Sequence, residues 1–322
     1  MTTSQNKILA TVTGASGLGR SKSTPGCGKQ YPSQIEGMLL KGQIWDEGVF
    51  EEAVKGVDAV VHAASPADLQ IKIDAETDIL KPAVAGTLSI LESAKNVPSI
   101  KSVVVTSSGG AYADIDVYFK PYEEAAKMPA EKAAFVYGAS KAAAECAALE
   151  FAERPDVRFA LSTHVPSFVL GRTFIPSYKT LMTVGLTLSM ALKWIWDQKD
   201  FSATAALPIN TFVSVEDSAR SHVAGALNPT ISSGHRYLLL SARTSWPQLV
   251  RYMIRADPAL EPHLPPVLDQ PSEDENLVGL YEFDASRDEK DPDYQYTYST
   301  AEELAADFAD QVYELAKADG LF

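Results

Sequence analysis

The amino-acid sequence predicts an α/β protein built on a doubly wound parallel sheet, and three observations carry that reading. Short runs that are apolar on both faces recur through the first half, Ile8–Thr13, Ala59–His62 and Ser102–Thr106, and Phe159–Val165 follows as a further strand. A strand with no polar face is one buried on both sides, as strands of parallel sheets are. Between these runs lie segments with apolar residues at helical spacing, and strand alternating with helix is the pattern of a parallel sheet covered by helices. The chain has 322 residues, 46% of them hydrophobic, enough for one large domain or a domain with a smaller lobe.

Taken in order, Ile8–Thr13 runs into Gly14-Ala15-Ser16-Gly17, a buried strand entering a glycine turn. Val49–Lys55 reads as a short helix before the strand Ala59-Val60-Val61-His62. Ile79–Lys95 is the next helix and Ser102–Thr106 the next strand. Lys141–Ala152 is alanine-rich and strongly helical, and Phe159–Val165 follows as a strand. Beyond Pro166 the pattern loosens. Phe212–Val215 and Tyr237–Leu240 read as short strands, Glu216–Leu227 and Ala301–Ala318 as helices. The proline-rich Pro258–Pro271 and the acidic Asp274–Asp293 read as surface loop.

Charge and composition narrow the partners. A net charge of −14 repels polyanions, which speaks against nucleic acid and anionic membrane. Two cysteines, Cys27 and Cys146, make no disulfide framework and suit a reducing compartment. The polar start Met1–Lys7 carries no signal-peptide core. The most apolar stretch, Leu181–Trp196, is interrupted by Lys193 and falls short of the ~20 residues of a membrane span. A soluble cytoplasmic protein acting on a small molecule, as monomer or homodimer and without a metal, is the expectation.

Two clusters carry chemistry. Thr106-Ser107-Ser108 ends a buried strand, and ligands of open α/β sheets bind outside the carboxyl ends of the strands. An isolated serine pair there more often makes a turn or a cap. Tyr137-Gly138-Ala139-Ser140-Lys141 opens the alanine-rich helix, and residues four apart share a helix face. A phenol titrates near ~10. A neighbouring ammonium lowers that value, so the phenol can give its proton to a carbonyl oxygen as hydride reaches carbon. Alone the motif is weak: the same spacing occurs in Tyr313-Glu314-Leu315-Ala316-Lys317, which reads as a solvated helix face.

In context the residues resemble the extended short-chain dehydrogenases/reductases, the NAD-dependent epimerase/dehydratase superfamily. The resemblance is to the branch with dihydroflavonol reductases and fungal aldehyde reductases. The matching pieces are Thr13–Gly17, Gly56–Pro66, Gly86-Thr87-Leu88, Val105–Ser108, Tyr137–Lys141, Pro166–Gly171 and Phe212–Asp217, in the family's order. The resemblance implies a Rossmann-type doubly wound parallel sheet over residues 1–170, with 208–228 returning to it, and a smaller C-terminal substrate lobe over 171–322. It implies that Ser108 polarises the substrate carbonyl and Tyr137 is the proton donor. Lys141 would bind the nicotinamide ribose. The cofactor would be NADP, with NAD as the alternative. Gly14, Ser16, Gly17, Leu18 and Gly19 would meet its phosphates. Ala63, Ala64, Ser65, Thr106, Tyr137, Lys141, Pro166, Ser167 and Val169 would complete its site. His62 is expected to be a satisfied core histidine. Asp217 is expected to be structural, with Ser214 where the family often has an acid.

The implied activity is reduction of an aldehyde or ketone on an apolar, aromatic or polyketide-like small molecule. Arg172–Leu207, with Phe174, Tyr178, Met182, Leu186, Met190, Trp194 and Trp196 and few cations, is expected to line the pocket. An epimerase, dehydratase or hydroxysteroid dehydrogenase on the same scaffold, or a catalytically degenerate relic, are the alternatives.

The N-terminal βαβ unit reads as truncated. Gly17-Leu18-Gly19 places the last glycine one position early. The segment Ser21–Pro32 holds two prolines and two further glycines, Gly26 and Gly28, where a helix should hold the pyrophosphate. A helix, two strands, another helix and their loops need about 50 residues, and the stretch from Arg20 to Val57 is short by about ten or more. Gln43 stands where the family usually has an adenine-contacting Asp. A misplaced splice boundary and a real chain with weak cofactor binding are both open.

Overall fold

The structure, a computed structural model, describes residues 10–13, 42–66, 71–112, 121–172, 186–197, 209–267, 297–318 and 320. It divides into two compact units, Met1–Val165 with Ser221–Tyr237, and Pro166–Arg220 with Leu238–Phe322.

The first unit is built on a sheet in the order β1 (Ala10–Thr13), β2 (Ala59–His62), β3 (Ser102–Thr106), β4 (Ala160–Pro166) and β7 (Arg236–Leu239). The first four strands run parallel, with Ala10 opposite Ala59, Ala59 opposite Ser102 and Ser102 opposite Ala160. Side chains alternate between the faces of a strand. Val60, Val103, Val105 and Leu161 enter one cluster with Ile90, Leu91 and Ala94 of helix α1 (Lys81–Lys95) and Ala148 and Phe151 of α3 (Ala133–Ala152). Ala59, Val61 and Val104 enter another with Ala226 of α5 (Val215–Leu227). Both apolar faces read from the sequence are therefore covered. Gly225 allows the close approach of α5, since a Cβ there would meet His164 Nε2 at 2.7 Å. The outer strand β1 is less sealed, with Val12 57% exposed. The segment from 20 to 42 on which the expected truncation rests lies, apart from Gly42, outside the described residues.

Three local expectations differ. Val49–Lys55 is not a helix but a run of turns. Phe50, Val54 and Val57 are drawn into the core, and Gly48 and Gly56, at φ 71° and 70°, bend the chain at both ends. Helix α1 begins at Lys81 rather than Ile79, after a wide turn over Glu76–Leu80 closed by the Lys81 N–H on Glu76 O. Helix α3 begins at Ala133, so Tyr137 sits in its second turn and not at its head.

The second unit holds a smaller sheet of β5 (Phe168–Leu170), β6 (Thr211–Ser214) and β8 (Ala242–Arg243). Its core gathers Leu188, Ala191, Leu192 and Ile195 of α4 (Leu186–Asp197), Trp246, Leu249, Val250 and Met253 of α7 (Trp246–Ala256), and Leu304, Phe308 and Val312 of α8 (Ala301–Ala318). The Phe212 and Trp246 rings meet edge to face at 5.0 Å. Helix α7 escaped the sequence reading although Ser245 caps it, accepting from Gln248 N at 3.3 Å. Asp217 is fully buried and accepts from Ser241 Oγ and, at 2.9 Å, from Ser299 N, while its own N–H is capped by Ser214 Oγ. Of the stretch expected to line a pocket, Leu188, Leu192 and Ile195 pack into this core instead. Phe174, Tyr178 and Met182 lie outside the described residues, as do the side chains of Leu186, Trp194 and Trp196. Among the described residues no helix is long and apolar enough to cross a membrane.

Candidate active site

Helix α3 lies across the carboxyl end of β3, and Gly138 sets how closely. A Cβ at 138 would sit 2.6 Å from Gly110 O, in the short turn Gly109–Tyr112 that follows β3. With no side chain there, Tyr137 and Ser108 both face Gly110: a Cβ at 110 would lie 3.4 Å from Ser108 Oγ and 4.0 Å from Tyr137 Cε1. Ser108 is the polar side chain that acts on the Tyr137 phenol, and its Oγ accepts from Gly110 N at 3.1 Å. One turn further on, Lys141 Nζ donates to Thr106 O at 2.7 Å. The structure thus brings Ser108, Tyr137, Lys141 and Thr106 to one strand end.

The electrostatics differ from the simple expectation. Burial raises the Tyr137 phenol above its usual range, and the opposing influence is Ser108, not Lys141. The phenol therefore stays protonated at neutral pH, the state a proton donor needs. Burial pulls Lys141 down to about 8, while the Glu145 carboxylate pulls it back up.

Glu145 was not singled out from the sequence. It is 2% exposed and lies one turn beyond Lys141. Ser107 Oγ and Thr163 Oγ1 donate to it at 2.6 and 2.8 Å, and Arg236 donates from Nε and Nη2 at 2.7 and 3.1 Å. The one available signal was an acid four residues after Lys141, on the same helix face, in an alanine-rich helix.

His62 is half, not fully, satisfied. It is buried, its Nδ1 bonds Thr13 Oγ1 at 2.8 Å, and Nε2 has no partner among the described residues. Burial first, and Lys141 second, hold it at about 3, so it is neutral. The second pair near the C-terminus is solvated in part, with Lys317 exposed as expected. Tyr313 is half-buried against the core of the second unit, with Lys317 Nζ 5.8 Å from its ring centre.

A nucleotide would fit the end of the first unit's sheet. After β2 the side chains are small, with Ala63 exposed and Ala64 and Ser65 half-buried, although the strand behind them is sealed. Lys141 has three N–H donors and the structure occupies one of them. The His62 Nε2 is a further polar atom there. In the second unit Ser167 is buried and donates its N–H to Leu239 O at 3.0 Å, its Oγ being without a partner among the described residues. Pro166 ends β4, and Val169 pairs with Val213. Gly14, Ser16, Gly17, Leu18 and Gly19 lie outside the described residues.

Known proteins match this chain. The family described as NAD dependent epimerase/dehydratase matches residues 10–176. Ketoreductase azaE of Aspergillus niger is 32% identical over 255 residues, 76% of this chain and 73% of that protein. Aldehyde reductase 2 of Sporidiobolus salmonicolor is 28% identical over 223 residues, 65% of this chain, and the match spans only 62% of its length. A solved reductase, studied for relief of substrate inhibition in asymmetric catalysis, superposes with a TM-score of 0.72 at 28% identity, covering 88% of this chain and 87% of that one.

Proposed function

The chain belongs to the NAD dependent epimerase/dehydratase family, and from that premise we propose that it is an NADPH-dependent reductase of an aldehyde or ketone on an apolar small molecule. The observation that carries the proposal is the engagement of one strand end by one helix face: Lys141 Nζ on Thr106 O at 2.7 Å, and Tyr137 against Ser108.

NADPH, when bound, supplies a hydride to the carbonyl carbon. The chain's residues handle the oxygen. Ser108 donates to the carbonyl oxygen and orients it. Tyr137 gives its phenolic proton to that oxygen as negative charge develops, so that an alcohol leaves and a phenolate remains. Lys141, as an ammonium, stabilises the phenolate and offers its remaining N–H groups to the ribose. Ala63, Ala64 and Ser65 leave room beside the ring. The family resemblance assigns Pro166, Ser167 and Val169 to the nicotinamide and Gly14, Ser16, Gly17, Leu18 and Gly19 to the phosphates. A ketoreductase and an aldehyde reductase among the relatives support a reductase over an epimerase.

Product analysis with purified chain, NADPH and a panel of aldehydes and ketones tests the proposal. A reductase oxidises one NADPH per alcohol formed. An isomerised product with cofactor returned unchanged would replace this reading with an epimerase.

A further inference from the structure

Glu145 is a carboxylate with its acceptor capacity filled. Oε1 takes Thr163 Oγ1 and Arg236 Nε, and Oε2 takes Ser107 Oγ and Arg236 Nη2. Two donors on each oxygen leave no lone pair for a direct bond to Lys141, so Glu145 acts on Lys141 through space. A buried ion pair is a weak source of stability, because desolvation offsets the Coulomb attraction. Here the Glu145 side chain is 3% exposed and that of Arg236 37%. What the arrangement supplies is geometry. Tyr137, Lys141 and Glu145, one helical turn apart, meet Ser108, Thr106 and Ser107 respectively. Ser107 is fixed a second time by its N–H on His164 O at 2.8 Å.

We infer that Glu145, held by Arg236, is a positioning residue: it clamps the Tyr137–Lys141 face of α3 to Ser107 at the end of β3 and to Thr163 within β4, and sets a negative charge one helical turn from Lys141. The inference rests on the roles proposed above for Tyr137 and Lys141. Among the described residues, the titratable groups that act on or flank Lys141 are Glu145 and Tyr137, one turn to either side on its own helix, and His62 on β2, with Arg236 of β7 bound to Glu145. His62 is neutral and Tyr137 protonated. Among the described residues the carboxylate of Glu145 is thus the anion acting on Lys141, and Arg236 moderates it.

The test reads Lys141 directly, by carbon NMR of the protein labelled at the lysine ε-carbon and titrated with base, with no substrate present. In Glu145→Gln the Lys141 midpoint falls by about half a pH unit or more. In Arg236→Met it rises, because an unshielded carboxylate faces the ammonium. Glu145→Asp keeps the charge but not the reach, so its midpoint stays near wild type. In carbonyl reduction, Glu145→Gln and Glu145→Asp both lose about tenfold in kcat with KM for the carbonyl changed less than about twofold, and only Glu145→Gln moves the alkaline limb of the pH profile to lower pH. A folded Glu145→Gln with a wild-type midpoint and wild-type kcat overturns the inference. So does failure of both Glu145→Gln and Arg236→Met to fold, which would make the pair a determinant of stability alone. If the midpoints respond but no carbonyl is reduced, the functional proposal fails and the link from Glu145 to Lys141 stands.

Discussion

The ammonium of Lys141 donates to the main-chain carbonyl of Thr106 at 2.7 Å, and the phenol of Tyr137, one turn earlier, is left to Ser108. The proposed proton donor and the proposed cation beside it are therefore set against different residues of the same strand end.

Reduction should depend on pH through Lys141. Its value of about 8 means that the ammonium is present below that pH and lost as pH rises through it. The expected profile of kcat/KM for reduction is flat near neutrality and falls above about 8. Lys141→Met should both slow turnover and weaken NADPH binding. Unchanged NADPH affinity in that variant would remove Lys141 from the ribose.

Gly138→Ala should lose activity before it loses its fold. Alanine gains about 1 kcal/mol of helix propensity. Its methyl, however, would sit 2.6 Å from Gly110 O, a backbone atom that cannot rotate away. Overpacking of this kind costs ~1–3 kcal/mol, and the shift it forces separates Tyr137 from Ser108. The expected result is a modest fall in melting temperature with at least about a tenfold fall in kcat; wild-type kcat would show that the close approach is not needed.

Much of this was legible in the sequence. The strands are apolar on both faces, and both faces are covered because the pattern could not be satisfied otherwise. Ser108, Tyr137 and Lys141 were singled out through the order of the family's motifs, since a serine pair at a strand end and a Tyr–Lys spacing on a helix are weak signals alone, and the fold brings the three to one strand end. Glu145 and Arg236 were not: they are 91 residues apart in sequence, and pairing across that distance leaves no local trace. Nor was the turn run at Val49–Gly56, where burial of Phe50 and Val54 overrides a helical pattern. The Tyr313–Lys317 spacing shows why the motif needed its context, since the same spacing there serves packing.

Acid should destabilise the first unit through two buried histidines. His62 is held at about 3, and His164 well below its ordinary value, by burial first, then by Lys141 and His222 respectively. Below about 6.5 the unfolded chain takes up protons that the folded one refuses, so this stability is full above that pH and declines as pH falls toward about 3. Each group contributes a slope of up to ~1.4 kcal/mol per pH unit. Urea unfolding at a series of pH values, with His62→Gln beside wild type, should show a shallower dependence in the variant. Parallel curves would place the acid sensitivity elsewhere.

Dinucleotide binding should be weak. On the sequence alone, the two prolines and two glycines of Ser21–Pro32 speak against a helix whose N-terminus would take the pyrophosphate, a contribution of ~1–2 kcal/mol, or roughly five- to thirtyfold in affinity. A fluorescence titration of NADPH checks this, and low-micromolar binding would mean that residues 20 to 42 supply a phosphate site of another kind.

Tyr137→Phe, measured for NADPH binding and carbonyl reduction side by side, tests the central claim most directly. The phenol supplies a proton and little binding energy, so NADPH affinity should stay within about twofold of wild type while kcat falls by ~10²–10⁴. Tyr313→Phe, the internal control, should change neither. A Tyr137→Phe protein that keeps more than about a tenth of wild-type kcat would contradict the assignment of Tyr137 as proton donor.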